Sequence, residues 1–144
     1  MSFDDLPETW PDLPLDDPLL AADVVDLVVS HADRVGGCAA FLLLEPDLRL
    51  RTPFVVGEVG DARDPWMLRD GLVEALGPLD LGGVVLARGR DGSVLLTDTD
   101  RAWHEMVLDV CRRLGVPLVA AFVATPAAVR SFPAPLRAAD DLAS

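Results

Sequence analysis

Two side chains near the middle of the chain have the types and spacing to do chemistry together. Asp100 and His104 stand four residues apart in "TDTDRAWHEMVLDVCRRLG", a stretch with helical periodicity that stops at Gly115. Residues four apart on a helix share a face. A carboxylate and an imidazole so placed can ligate a metal ion together, or act as a base and the group that orients it. Three arginines crowd the same region. Arg88, Arg90 and Arg101 lie near the start of that helix, where guanidinium and backbone N–H groups hold small anions. Each feature has a plainer alternative. Asp100 falls in the first turn, where the helix dipole favours a carboxylate, with Thr97, Asp98 or Thr99 as the cap. His104 then decorates a stripe facing solvent or a second copy of the chain. The arginines can pair with Asp98, Asp100 or the acids of the N-terminus, in surface pairs worth about 0–1 kcal/mol each.

Other chemistries find little support. "GRDGS", residues 89–93, holds an Asp-Gly turn signal but lacks the lysine of a phosphate-binding loop. There is no GxSxG and no CxxC. The two cysteines, Cys38 and Cys111, each sit in an apolar context and read as buried thiols rather than a disulfide or a thiolate zinc site. Trp66 and Trp103 fit helix faces and read as core or interface residues.

The chain has 144 residues, 51% of them hydrophobic, enough for one core and too apolar for a disordered chain. The net charge is −12, and every one of the 12 basic residues is arginine. Nine of the 24 acids lie in residues 1–33, where there is no arginine. A nucleic-acid binder needs clustered positive charge to displace counterions, so nucleic acid is not an expected partner. No apolar run reaches the roughly 18–20 residues that span a bilayer, so no membrane is expected either. The N-terminus lacks the pattern of a secretory signal, which leaves a cytoplasmic protein as the expectation.

The elements that must position these residues can be read in order. Residues 1–18 carry four prolines and form an acidic extended arm. Its apolar points, Trp10, Leu13 and Leu15 above all, either fold back on the domain or dock a partner. "DDPLLAADVVDLVVSHADRVGG" reads as one helix, capped by Asp16 or Asp17 and ended by Gly36 and Gly37, with His31 near its C-terminal end. The apolar run Cys38–Leu44 predicts a strand buried on both faces. "LRLRTPFVVGEV" predicts a second strand, at an edge because of Pro53. Asp64 and Pro65 open a helix whose apolar face includes Trp66, Leu72 and Leu76. "GGVVLAR" is a third strand, the helix with Asp100 follows, then "VPLVAAFVAT" and a short "AVRSF" strand. The order α-β-β-α-β-α-β is that of an α/β sandwich.

That order, with the spacing Ala87-x-Gly89-x7-Thr97-x2-Asp100, resembles the MPN (JAB/JAMM) domain, and the bacterial RadC branch in particular. The resemblance covers roughly residues 38–132. In that family two His, a Ser and an Asp stand at these four places. The His and Asp hold zinc, and a Glu from an earlier strand is the general base; Glu58 in "VVGEVG" is the loose match here. The implied fold is α/β, an MPN/JAB-like (cytidine-deaminase-like) sandwich with a mixed sheet flanked by helices. Its expected extents are an arm at 1–18, the RadC/JAB-like domain at 19–133 and a tail at 134–144.

The chemistry departs from the family, because Ala87 and Gly89 have no donor atoms and a catalytic zinc needs three protein ligands. Arg88 and Arg90 further oppose a dication there. The expected function is therefore that of a non-catalytic RadC/JAB-like pseudoenzyme without metal or cofactor, binding a protein partner or forming a homodimer. The alternatives are a metal-assisted hydrolase rebuilt from Glu58, Asp100 and His104, and a small-anion or nucleotide sensor at Arg88, Arg90 and Arg101.

Overall fold

The computed structural model describes residues 8–57 and 64–132. The chain forms a five-stranded mixed sheet with helices on both faces. Two short helices, α1 (Pro18–Val28) and α2 (His31–Gly36), precede β1 (Cys38–Leu44) and β2 (Leu50–Gly57). A 3-10 turn at Pro65–Leu68 leads into α3 (Arg69–Leu76). Then come β3 (Gly83–Gly89), α4 (Asp98–Leu114), β4 (Leu118–Ala124) and β5 (Val129–Ser131). The strand order is β2-β1-β3-β4-β5. Strand β1 runs antiparallel to β2 and β3, β3 and β4 are parallel, and β5 returns antiparallel to β4. Only the parallel pair needs a long crossover, and α4 supplies it.

Period-2 alternation divides the core into two layers. Ala39, Phe41, Leu43, Val84, Leu86 and Ala121 face α3 and α4. Cys38, Ala40, Leu42, Leu44, Val85, Ala87, Phe122 and Ala124 face α1. Strands β1 and β3 are buried at every position, which is why they read as unbroken apolar runs. Pro53 does lie in an edge strand, β2, which is exposed along most of its length. Both cysteines are free and buried, one in each layer; burial pushes the Cys111 thiol up to about 11.

Two expectations need correction. The first helix is two. Val29 leaves helical geometry to bury its side chain, and Ser30, extended at ψ 159°, caps α2 by accepting from the Asp33 N–H at 3.1 Å. Adjacent β-branched residues followed by a good N-cap favour this break over a continuous helix. His31 consequently begins α2 instead of ending α1 and is exposed. Trp66 is 42% exposed, because it sits in the 3-10 turn where Pro65 takes the buried place. Of the two readings of the arm, Leu15 follows folding back: it is 0% exposed, and its N–H donates to Leu48 O at 2.9 Å. Trp10 and Leu13 are half-buried, with Trp10 packed on the α1-side core. The described part of the arm, from residue 8, covers the domain; residues 1–7 and the tail from 133 lie outside the described residues.

Candidate functional site

The region singled out by sequence lies where β3 ends and α4 begins. Strand β3 continues through Ala87 and Arg88 to Gly89, so these residues belong to the sheet and alternate across it. Arg88, two residues beyond Leu86, points into the α4 layer. It is 1% exposed, its guanidinium carbon stands 6.0 Å from the centre of the buried Trp103 ring, and its Nη1 donates to the carbonyls of Cys38 and Gly89, both at 3.1 Å. Ala87 and Gly89 point the other way. Ala87 packs in the α1 layer. A Cβ on Gly89 would lie 2.5 Å from Cys38 Sγ and 3.3 Å from Val29 Cγ1, so glycine is there because β3, β1 and the α1–α2 junction meet without room for a side chain.

Helix α4 opens with a capping box. The Thr97 hydroxyl accepts from the Asp100 N–H at 3.1 Å, and the Asp100 carboxylate accepts from the Thr97 N–H at 3.0 Å. The same carboxylate, 0% exposed, takes Arg90 as a fork. Arg90 Nε lies 3.0 Å from both oxygens and Nη2 lies 2.7 Å from Oδ2. Arg88 Nε stands 3.6 Å away. Arg90 also donates to the carbonyls of Asp91, Ser93 and Leu95, so the loop between β3 and α4 is wound around its own guanidinium. Burial pushes the Asp100 carboxyl up. The Arg90 and Thr97 hydrogen bonds and the charges of Arg90 and Arg88 overcome that and hold it below its ordinary range.

A third arginine closes the opposite face of the same sheet end. Arg34, at the end of α2, is buried; its Nε donates to Val29 O, its Nη1 to Thr125 O just past β4, and its Nη2 to Asp26. Sequence reading missed Arg34, which looks like an ordinary surface residue near a helix end. Its four acceptors lie on α1, the α1–α2 junction and the chain after β4, and no local pattern announces them.

The sequence candidates therefore part company. Arg88 and Arg90, the anion candidates, are both buried and committed to Asp100 and backbone carbonyls. Arg101 is exposed and pairs with Asp98 at 3.1 Å. His104 shares helix α4 with Asp100, yet among the described residues no hydrogen bond or ion pair joins them. Its ring packs at a tilt against Phe132 with centroids 4.8 Å apart. Burial lowers the His104 pKa against an opposing pull from Glu105. Glu58 lies outside the described residues.

The zinc of the family that the spacing resembles does not fit these residues. Ala87 and Gly89 offer no donors and face away from Asp100, whose oxygens are taken by guanidinium groups. Among the described residues no cluster of three His, Cys, Asp or Glu side chains is placed to hold a metal ion. No described helix is long and apolar enough to cross a membrane. No protein-family model matches the chain, and no curated protein matches it.

Proposed function

We propose that the chain is a non-catalytic module of the RadC/JAB-like type that works by binding another protein. The observation that carries this reading is the engagement of Asp100. The one carboxylate that the family spacing assigns to a metal is fully buried and held by Arg90, the Thr97 N–H and the charge of Arg88. In RadC/JAB-like terms the catalytic corner is closed from within. The element order and the mixed five-stranded sheet support the fold part of the reading. The residue spacing does not, since positions 87 and 89 face the α1 layer. Leu19, Leu95, Trp66 and Met67 leave apolar side chains exposed, surface that a partner would cover. Two free thiols and the acidic charge balance fit a reducing cytoplasm and a protein rather than a nucleic-acid partner.

The test is a metal titration followed by thermal unfolding. Zinc, manganese and magnesium are expected to leave the Tm of the purified protein where it is. A ligand at about 100 times its Kd adds about 2.7 kcal/mol to stability. A metal-dependent rise of that size, absent from Asp100→Asn and His104→Ala, refutes the non-catalytic reading.

A further inference from the structure

One cation of the described surface is left without a carboxylate. Ten arginines are described, and nine lie within 4.0 Å of an acidic oxygen. Among the described residues Arg130 alone has no such partner, in a chain with 24 acids to 12 bases. It stands exposed at the centre of β5, the short strand that ends one side of the sheet.

Two hollows flank this strand and meet at it. The one on the α4 side, about 430 Å³, lies between Leu95, Leu96, Arg101 and Arg130. The one on the α1 side, about 320 Å³, is lined by Pro18, Leu19, Phe122 and Val129. Both include Arg130 and Ser131. Leu95 and Leu19, one beside each hollow, are 69% and 60% exposed. Among the described residues β4 is the one strand that pairs with β5. Ala128 exchanges hydrogen bonds with Thr125, Arg130 pairs with Val123, and Phe132 N donates to Ala121 O. By antiparallel alternation Val129 and Ser131 direct their backbone groups to the outer edge.

An added strand sends alternate side chains to the two faces of a sheet. Here one row would meet Pro18, Leu19 and Val129, and the other would meet Arg101 and Arg130. We propose that the β5 edge receives an extended partner segment, apolar on the row facing α1 and acidic on the row facing α4. The inference rests on the reading of the chain as an interaction module and names the chemistry of its partner. A second copy is a poorer occupant, because two-fold pairing of β5 with itself brings Arg130 against Arg130, and like charges directly opposite oppose pairing.

The experiment uses the full-length protein and a short fluorescein-labelled peptide of alternating valine and aspartate, read by fluorescence anisotropy. Saturable binding is expected, weakening with added salt. Arg130→Glu should weaken it about tenfold or more, with Arg130→Gln in between. The same peptide N-methylated on alternate residues, and a valine–lysine peptide, should not bind. Equal binding by wild type and Arg130→Glu with unchanged circular dichroism overturns the proposal, as does no binding at all. Concentration-dependent dimers that Arg130→Glu abolishes would assign the edge to a second copy and also overturn it. These failures leave the module reading standing, whereas metal-dependent stabilisation through Asp100 removes that reading whatever the peptide does.

Discussion

Asp100→Asn isolates what the buried cluster contributes. The substitution keeps the shape of the side chain and one acceptor for the Thr97 N–H. It removes the charge that faces Arg88, 1% exposed at its side chain, and Arg90, 11% exposed. Breaking a buried ion pair by removing one partner costs about 3–5 kcal/mol. Arg90 keeps its carbonyls at Asp91, Ser93 and Leu95, which places the loss toward the lower end. A chain of 144 residues has an unfolding entropy near 0.3 kcal/mol per degree, so the Tm should fall by about 10 °C. Urea unfolding followed by circular dichroism and tryptophan fluorescence reads the same loss as a shifted midpoint at constant slope. Asp98→Asn, at the fully exposed neighbour paired with Arg101, should leave the midpoint in place. Arg88→Met should cost less in the Asp100→Asn background than in the wild type, because it then removes an uncompensated charge. The reasoning fails if Asp100→Asn unfolds within about 1 kcal/mol of wild type, or if Arg88→Met costs the same in both backgrounds.

Two further outcomes follow from the same geometry. Stability should decline in two stages as the pH falls. The His104 pKa is lowered on folding, so its unfolded form binds the proton first and stability declines as pH falls below about 6.5. The Asp100 pKa is also lowered, so its contribution is present above about 3.9 and is lost as pH falls through the folded value. Urea midpoints from pH 8 to 3 should lose the first step in His104→Phe and the second in Asp100→Asn; unchanged profiles refute the assignments. Placing histidine at both positions, Ala87→His with Gly89→His, should yield misfolded protein with no zinc affinity, since both positions lie in the packed α1 layer. Stoichiometric zinc on a folded double variant, measured by metal analysis after gel filtration, would overturn that placement.

Much of the fold was legible because it rests on local rules. Cys38–Leu44 declared a strand buried on both faces, "GGVVLAR" declared β3, and Gly115 declared the end of α4, whose cap stayed open among Thr97, Asp98 and Thr99. The break between α1 and α2 was hidden because the apolar pattern runs on through Val28 and Val29, and only the burial of Val29 decides it. The site was misread for a different reason. "ARGRDGS" looks like a polar loop, yet its first three residues finish β3. Parity carried the missing signal: Arg88 follows Leu86 by two on a strand buried on both faces. Asp100 likewise precedes Trp103, Val107 and Val110 on one helical stripe, and all four are buried. A lone carboxylate in an apolar stripe needs a cation, and the nearest inward-facing cations are Arg88 and Arg90.

The carboxyl ends of parallel strands are where open α/β sheets usually admit ligands. In this chain that end of β3 and β4 is filled by Arg34, Arg88 and Arg90. Arginine suits the task because its five donors can satisfy several carbonyls at once while its charge meets a carboxylate. The three use the carbonyls of Val29, Cys38, Gly89, Leu95 and Thr125, with carboxylates from Asp26 and Asp100. Replacing such a buried cluster by apolar residues is often neutral or stabilising, so stability alone is a weak reason for it. What it does specify is geometry: it ties α2, the β3–α4 loop and the turn after β4 to one sheet end. Leu95, on the outside of the loop wound around Arg90, is thereby held beside Arg101 and Arg130 at the sheet's edge. The groups that close the interior corner are the ones that shape the exterior groove. Loosening them through Asp100→Asn should therefore weaken peptide capture at β5, although Asp100 touches no part of that groove.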